Sequence, residues 1–258
     1  MKYKIITGIL THNSEWIIDK MLKVASYFSE KIILLDDYSM DNTKEICLSY
    51  DKIEWNEIGK QNSIFDYKVM LRQKLIDLIK IYQTDYILLP DHDEIPSFKF
   101  LNFMENIDEN IDLWTPIYVT LWGSENYYRV DKYRTSVGAN VDWDPFTGGR
   151  KKGILMKYNK NIDYKYDITC KKGQHPAPCN VGLSHRFTDE FAIIHHGKLD
   201  PFFTSGEKHK IYAMWDEHIG IRSYEEGIKH HESCRLEGTP ILKKIPEEWK
   251  WDNFNLKK

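Results

Sequence analysis

The sequence predicts an α/β protein with a mostly parallel central sheet and helices on both of its faces. Three observations predict it. Short apolar runs alternate with longer stretches whose apolar residues recur at helical spacing, the pattern of βαβ units joined by right-handed crossovers. The run Tyr86-Ile87-Leu88-Leu89 is apolar at four successive positions, as suits a strand buried on both faces. It stops at Pro90 and opens into Asp91-His92-Asp93-Glu94. Carboxylates therefore fall at the carboxyl end of an interior strand, the usual address of a ligand crevice in open α/β sheets.

In order, Lys4 to Leu10 reads as a buried first strand and Thr11-His12-Asn13-Ser14 as its exit loop, with Asn13 or Ser14 placed to cap the next helix. Ile17, Met21, Val24 and Phe28 form the apolar stripe of that helix. Lys31 to Leu35 is the second strand. A polar turn, Asp36 to Thr43, follows it, and Asn42 and Glu45 have the spacing of a capping box. Ile53 to Ile58 alternates like an edge strand. A long helix from Ser63 to Tyr82 buries Leu71, Leu75, Leu78 and Tyr82. It sets Lys68 and Arg72 one turn apart, where they can face one anion or, for Lys68 above all, simply form a solvated basic face. With Tyr86 to Leu89 as the fourth strand, residues 1–96 form a nucleotide-binding half.

Residues 97–258 form the other half of what is expected to be a single domain spanning 1–258. Phe98 to Asn106 reads as a helix, Leu113 to Trp122 as a long strand, and Gly123 to Gly153 as a loop-rich segment. Ile154 to Lys157 and Phe191 to Ile194 read as short strands, the second ending at His195-His196-Gly197. Lys171 to Pro178, with Gly173 and two prolines, reads as an irregular loop enclosing Gln174-His175. Ser205 to His218 reads as a helix. The tail from Ile241, rich in Trp, is expected to wrap the body or to meet a second subunit and make a homodimer.

Composition limits the partners. The formal net charge is −3 with both signs interspersed, which gives no footprint for general nucleic-acid or anionic-membrane binding. The four cysteines are scattered without a C-x-x-C pair and read as reduced thiols. No signal peptide opens the chain and no apolar run approaches a membrane span, so a cytoplasmic protein is expected. Aromatic residues make up 14% of the chain; rings in a cleft stack on sugars or bases, but most rings serve as core.

At the carboxylates, period-two geometry aims Asp91 and Asp93 to one side and His92 and Glu94 to the other. Two acids facing one crevice call for a cation between them, and hard oxygen ligands select Mg²⁺ or Mn²⁺. A polar turn leading into a helix is the plainer account of the same triplet. His230-His231-Glu232-x-Cys234 has no second ligand pair at a zinc spacing and reads as a solvated helix end.

Thr7-Gly8-Ile9-Leu10-Thr11-His12-Asn13, Leu35-Asp36-Asp37-Tyr38-Ser39-Met40-Asp41-Asn42-Thr43 and Leu89-Pro90-Asp91-His92-Asp93-Glu94 resemble, in order and spacing, the three signatures of family 2 glycosyltransferases. Arg72 also sits where that family places a basic helix residue ahead of its D-x-D. The second half resembles more weakly the branch that includes lipopolysaccharide-core glucosyltransferases, through Arg150, Gln174-His175-Pro176 and Ile194-His195-His196-Gly197. Pro176, where that branch has an acid, and Pro90 depart from the pattern.

The resemblance implies a GT-A fold and a metal-dependent, inverting sugar transferase that takes a UDP-sugar and a hydroxyl-bearing acceptor, as in polysaccharide biosynthesis. It implies Mn²⁺ or Mg²⁺ held by Asp93, with Asp91 on the ribose or a metal-bound water and His195 or His196 as a third ligand. Thr11, Asn13 and Asp36 or Asp37 would line the nucleotide pocket, and Lys68 and Arg72 would offset diphosphate charge. The catalytic base falls to His175, Asp144 or Asp142. Two other readings remain open: a binding module without activity, and a sugar-nucleotide nucleotidyltransferase, which would need a Gly-rich phosphate loop that Thr11-His12-Asn13-Ser14 does not provide.

Overall fold

A computed structural model of the chain describes residues 1–59, 67–148, 152–166, 176–179, 182, 184–218 and 220–251. The elements run β1 (Ile5–Thr11), α1 (Ile18–Phe28), β2 (Lys31–Asp37), α2 (Thr43–Leu48), β3 (Ile53–Ile58), α3 (Tyr67–Ile79), β4 (Tyr86–Leu88), β5 (Glu94–Pro96) and α4 (Phe100–Glu105). Then come β6 (Leu113–Trp122), β7 (Ser124–Arg129), β8 (Lys132–Arg134), β9 (Asn140–Asp142), β10 (Leu155–Lys157), β11 (Asp163–Tyr166), β12 (Pro176–Cys179) and β13 (His185–His195). The chain continues through α5 (Pro201–Thr204), α6 (Glu207–His218), α7 (Tyr224–Leu236) and β14 (Leu242–Lys244).

It divides into two compact units, one of residues 1–116, 151–193 and 248–258, the other of residues 117–150 and 194–247. In the first, the strands run in the order β10-β4-β1-β2-β3. The β4-β1-β2-β3 block is parallel and β10 is antiparallel to β4. This is the α/β architecture expected from the sequence, in keeping with a GT-A-type fold.

Alternation along β1 explains how both faces are covered. Ile6, with Ile33, Leu35, Ile87 and Leu89, packs under Leu71, Leu75, Ile76 and Ile79 of α3. A Cβ on Gly8 would lie 2.7 Å from both Ile79 Cδ1 and Leu89 Cδ2, so a residue without a side chain lets α3 lie close on the strand. The opposite face carries Ile5 and Ile9, and there Thr7 hydrogen-bonds Ser29 just beyond α1 (2.6 Å). The end of the described chain returns to this unit: Trp251 Nε1 donates to the Pro96 carbonyl (2.7 Å), and Trp249 and Trp251 are buried.

Several local expectations are corrected. Neither Asn13 nor Ser14 caps α1 with its side chain; the Ser14 carbonyl accepts from Ile17 and Ile18 instead. Asn42 makes no side-chain cap of α2, because Asp41 Oδ1 takes the Thr43 amide (3.0 Å) and Asn42 Nδ2 turns to Glu15 (2.7 Å). Pro176–Cys179, expected to be irregular, pairs with β11 as a strand. Prolines at alternate positions lose their donors on one edge only, so the other edge can still pair. The loop-rich segment from Gly123 holds β7, β8 and β9.

In the second unit β14 pairs with β7, and α6 packs against α7. Helix α7 is opened by a full capping box, Ser223 with Glu226, a signal present in the sequence that its thin apolar stripe hides. His230 and His231 lie inside this helix, not at a solvated end, and His231 Nε2 meets Asp216 at 3.0 Å. Arg129 is fully buried: it grips Asp131 through Nε and Nη2 and stacks on Trp122, Tyr133 and Trp143. Of the aromatic residues here, Tyr118, Tyr128 and Phe203 are buried.

Two outcomes are expected. A Cβ on Gly227 would stand 2.8 Å from the Ala213 backbone. Gly227→Ala should therefore lose stability by about 1 kcal/mol net, helix propensity returning part of an overpacking cost of about 1–3 kcal/mol, and urea unfolding measures it. Burial, with Arg235, Lys198 and His231 nearby, pushes the His209 imidazole down to about 4 from an ordinary value of 6.5. Between those values the unfolded chain binds the extra proton, so stability should rise with pH from about 4 to 6.5 and fall on acidification, by up to about 3 kcal/mol. His209→Leu should flatten that slope in urea midpoints taken at pH 5 and pH 7.

Candidate nucleotide site at the carboxyl ends of the parallel strands

Strand order reverses between β1 and β4, and the open crevice of such sheets lies at that point beyond the strand carboxyl ends. Asp91 stands there, bridged to Leu10 at the end of β1. On one side the two loops after β1 and β2 are laced together by side chains. Asp36 accepts from Ser39 N (2.8 Å) and Ser39 Oγ (2.5 Å), and Ser39 Oγ in turn accepts from Asn13 N (2.9 Å). Asn13 Oδ1 takes the Met40 amide (2.8 Å), and Thr43 Oγ1 takes the Ser14 amide (2.7 Å). Asn13 and Tyr38 adopt left-handed backbone angles, φ 45° and 57°, to make these turns. Burial raises the Asp36 carboxyl above its ordinary range, against the lowering pull of the Ser39 hydrogen bonds and of His12.

Asp36 and Asn13, expected to line a nucleotide pocket, hold the two loops to each other through these bonds. Thr11 is buried, and among the described residues its hydroxyl has no hydrogen-bond partner. Asp37 is partly exposed, and its carbonyl accepts from His12 Nδ1 at 2.5 Å.

On the other side lies a cluster of opposite charges. Residues 91–94 form a turn closed by the Glu94 amide on the Asp91 carbonyl (3.0 Å). The turn breaks the period-two geometry, so Glu94 converges with Asp91, a correction to the expected split. Glu94 Oε2 accepts from the Asp91 amide (2.9 Å) and from Lys152 Nζ (2.7 Å). Asp91 binds Lys152 Nζ through Oδ2 (2.9 Å) and Arg72 Nη2 through Oδ1. Arg72, Asp93 and Glu94 are buried.

Lys152 and the role of Glu94 escaped the sequence. Lys152 arrives by register: Leu155 pairs with Leu88 and the Leu89 amide bonds the Ile154 carbonyl (2.9 Å). Carried three residues further, that antiparallel register sets Lys152 opposite Asp91.

Of the expected ligands for a divalent ion, Asp93 is buried and Asp91 is already paired within the chain. Both Asp91 oxygens and one Glu94 oxygen already hold cationic groups of the chain. Among the described residues no group of three or more His, Cys, Asp or Glu is placed to hold an ion. His195 and His196 belong to the second unit. His195 lies against Tyr118 (ring centroids 5.2 Å), and His196 is buried with Nδ1 on the Ile194 carbonyl (3.1 Å).

Of the residues considered for the base, His175 lies outside the described residues, as do Arg150 and the side chain of Lys68. Asp142 is engaged by Lys132 (3.1 Å), Thr147 (3.3 Å) and the Asp144 amide (2.9 Å), and Asp144 Oδ1 accepts from Phe146 N (3.0 Å). No helix of the described residues is long and apolar enough to cross a membrane.

No family model matches the chain, and no curated protein does. Solved structures do. Residues 1–349 of S. aureus TarS align at 14% identity over 82% of this chain and 65% of that one, with a TM-score of 0.49. The same protein with UDP-GlcNAc aligns at 20% identity over 47% and 36%, TM-score 0.38. Glucosyl-3-phosphoglycerate synthase from Mycobacterium tuberculosis, in complex with Mn²⁺, UDP and glucosyl-3-phosphoglycerate, aligns at 15% identity over 45% and 44%, TM-score 0.34. The chain spans less than two thirds of the length of each of these, and its function has to be read from the site.

Ser39→Ala should test the laced loops. It removes a donor from buried Asp36 and an acceptor from Asn13, and is expected to cost about 1–3 kcal/mol in urea unfolding.

Proposed function

We propose that this chain is a glycosyltransferase that binds a nucleotide diphosphate sugar, with UDP as the nucleotide, in the crevice beyond β1 and β4. It passes the sugar to an acceptor hydroxyl with inversion. The observation that carries the reading is the ion cluster of buried Arg72 and Glu94 with partly exposed Lys152 and Asp91 at the point where strand order reverses. Cations there suit the departing diphosphate, whose accumulating charge is what such a transfer must stabilise.

In the transfer the bond between the anomeric carbon and the diphosphate oxygen breaks, and its electron pair leaves with the diphosphate. A bond forms from the acceptor oxygen on the opposite face, and the acceptor proton goes to a base, for which His175, Asp144 and Asp142 are the candidates. The wall built by Asp36, Ser39 and Asn13 suits the base and ribose, and the Thr11 hydroxyl is an acceptor and donor available to them.

A thermal-shift screen of nucleotides and nucleotide sugars tests the reading, since a ligand of the native state alone raises the melting temperature. UDP and a UDP-sugar should raise it, and no shift with any nucleotide would remove the proposal. Slow hydrolysis of the bound UDP-sugar separates an enzyme from a binding module, and pyrophosphate release from nucleoside triphosphate and sugar phosphate would instead mark a nucleotidyltransferase. Thr11→Val should leave stability within about 1 kcal/mol and weaken UDP binding roughly fivefold to tenfold, about one hydrogen bond's worth of affinity.

A further inference from the structure

We propose that Lys152 is the resident cation of the carboxylate cluster, its ammonium holding the place on Asp91 and Glu94 that a divalent ion would otherwise take. Nζ stands 2.9 Å from Asp91 Oδ2 and 2.7 Å from Glu94 Oε2, bridging the two carboxylates. The Glu94 side chain is fully buried, that of Lys152 is 20% exposed and that of Asp91 32%, so the bridge is sheltered on its Glu94 side and reaches the crevice at Asp91.

Two features make the ammonium and a metal ion exclusive of each other. A hard divalent ion binds carboxylate oxygens at about 2.0–2.6 Å; on these oxygens it would stand within contact distance of Nζ, cation against cation. The charges of Asp91 and Glu94 are also already met, by Lys152 and by Arg72, which is itself buried on Asp91. A divalent ion would have to expel the lysine from its antiparallel seat opposite Asp91.

The consequence for a sugar donor rests on the reading given above: a nucleotide diphosphate entering the crevice meets a lysine and an arginine already in place. Charge on its phosphate oxygens is then met by the chain, with Lys152 free to turn from Glu94 toward the diphosphate. Lys152 is in this sense a binding residue, and its competition with metal can be measured without any nucleotide.

The test is a titration with Mn²⁺ alone, following free Mn²⁺ by its electron spin resonance signal, on the full chain and on Lys152→Met and Lys152→Arg. The wild-type chain and Lys152→Arg should bind Mn²⁺ alike and weakly, within about threefold of each other. Lys152→Met should bind it at least tenfold more tightly, and Asp91→Asn added to it should abolish the gain. If Lys152→Met does not melt cooperatively, Lys152→Gln, which keeps a hydrogen-bond donor for Glu94 without the charge, takes its place with the same expectation. A charge-free variant that binds Mn²⁺ no better than the wild-type chain overturns the proposal. Failure of UDP to bind in the thermal screen would sink the donor reading and leave this result standing, so the two are told apart.

Discussion

The ion cluster of Arg72, Asp91, Lys152 and Glu94 is the interaction on which the first unit depends. A buried carboxylate costs several kcal/mol unless a cation and hydrogen bonds compensate it, and breaking such a pair costs about 3–5 kcal/mol. Glu94 is compensated by Lys152 and the Asp91 amide, Asp91 by Lys152 and Arg72. The partners come from α3, the end of β4 and the approach to β10, so the cluster ties three elements at one end of the sheet. Burial this expensive at a crevice is a common mark of a functional site, and the same charges that fix the turn are the ones a diphosphate would meet.

The other wall of the crevice is held by different means. Its two loops are mostly polar, and Tyr38 and Met40 in the second are exposed. Serine, asparagine, aspartate and threonine side chains take up backbone amides across from one loop to the other, as short polar side chains do where regular structure ends. Left-handed angles at Asn13 and Tyr38 belong to the same construction. One wall is shaped by hydrogen bonds and the other by ion pairs, so side chains expected only to contact a ligand also hold the backbone in place.

Much of this was legible beforehand. The alternation of strands and helices through β4, the apolar stripes of α1 and α3, and the position of Asp91 after a buried strand all follow from local pattern. Arg72 could be singled out by its spacing of one helical turn from Lys68 and by the family resemblance. The direction of Glu94 was misread because the turn at 91–94 replaces strand geometry, and both conformations suit the same residues. Helix α7 was missed although Ser223 and Glu226 spell its start, since few of its residues are apolar.

By itself the sequence determined which segments bury themselves and that strands and helices alternate along the first half, because burial and periodicity are properties of neighbours along the chain. Only the tertiary structure decided what faces Asp91. Lys152 lies 61 residues away, carried there by the register of β10 on β4, and nothing local distinguishes it from the basic residues beside it. The placement of that one ammonium depends on a long-range strand pairing, and strand pairing is fixed by the packing of the whole sheet.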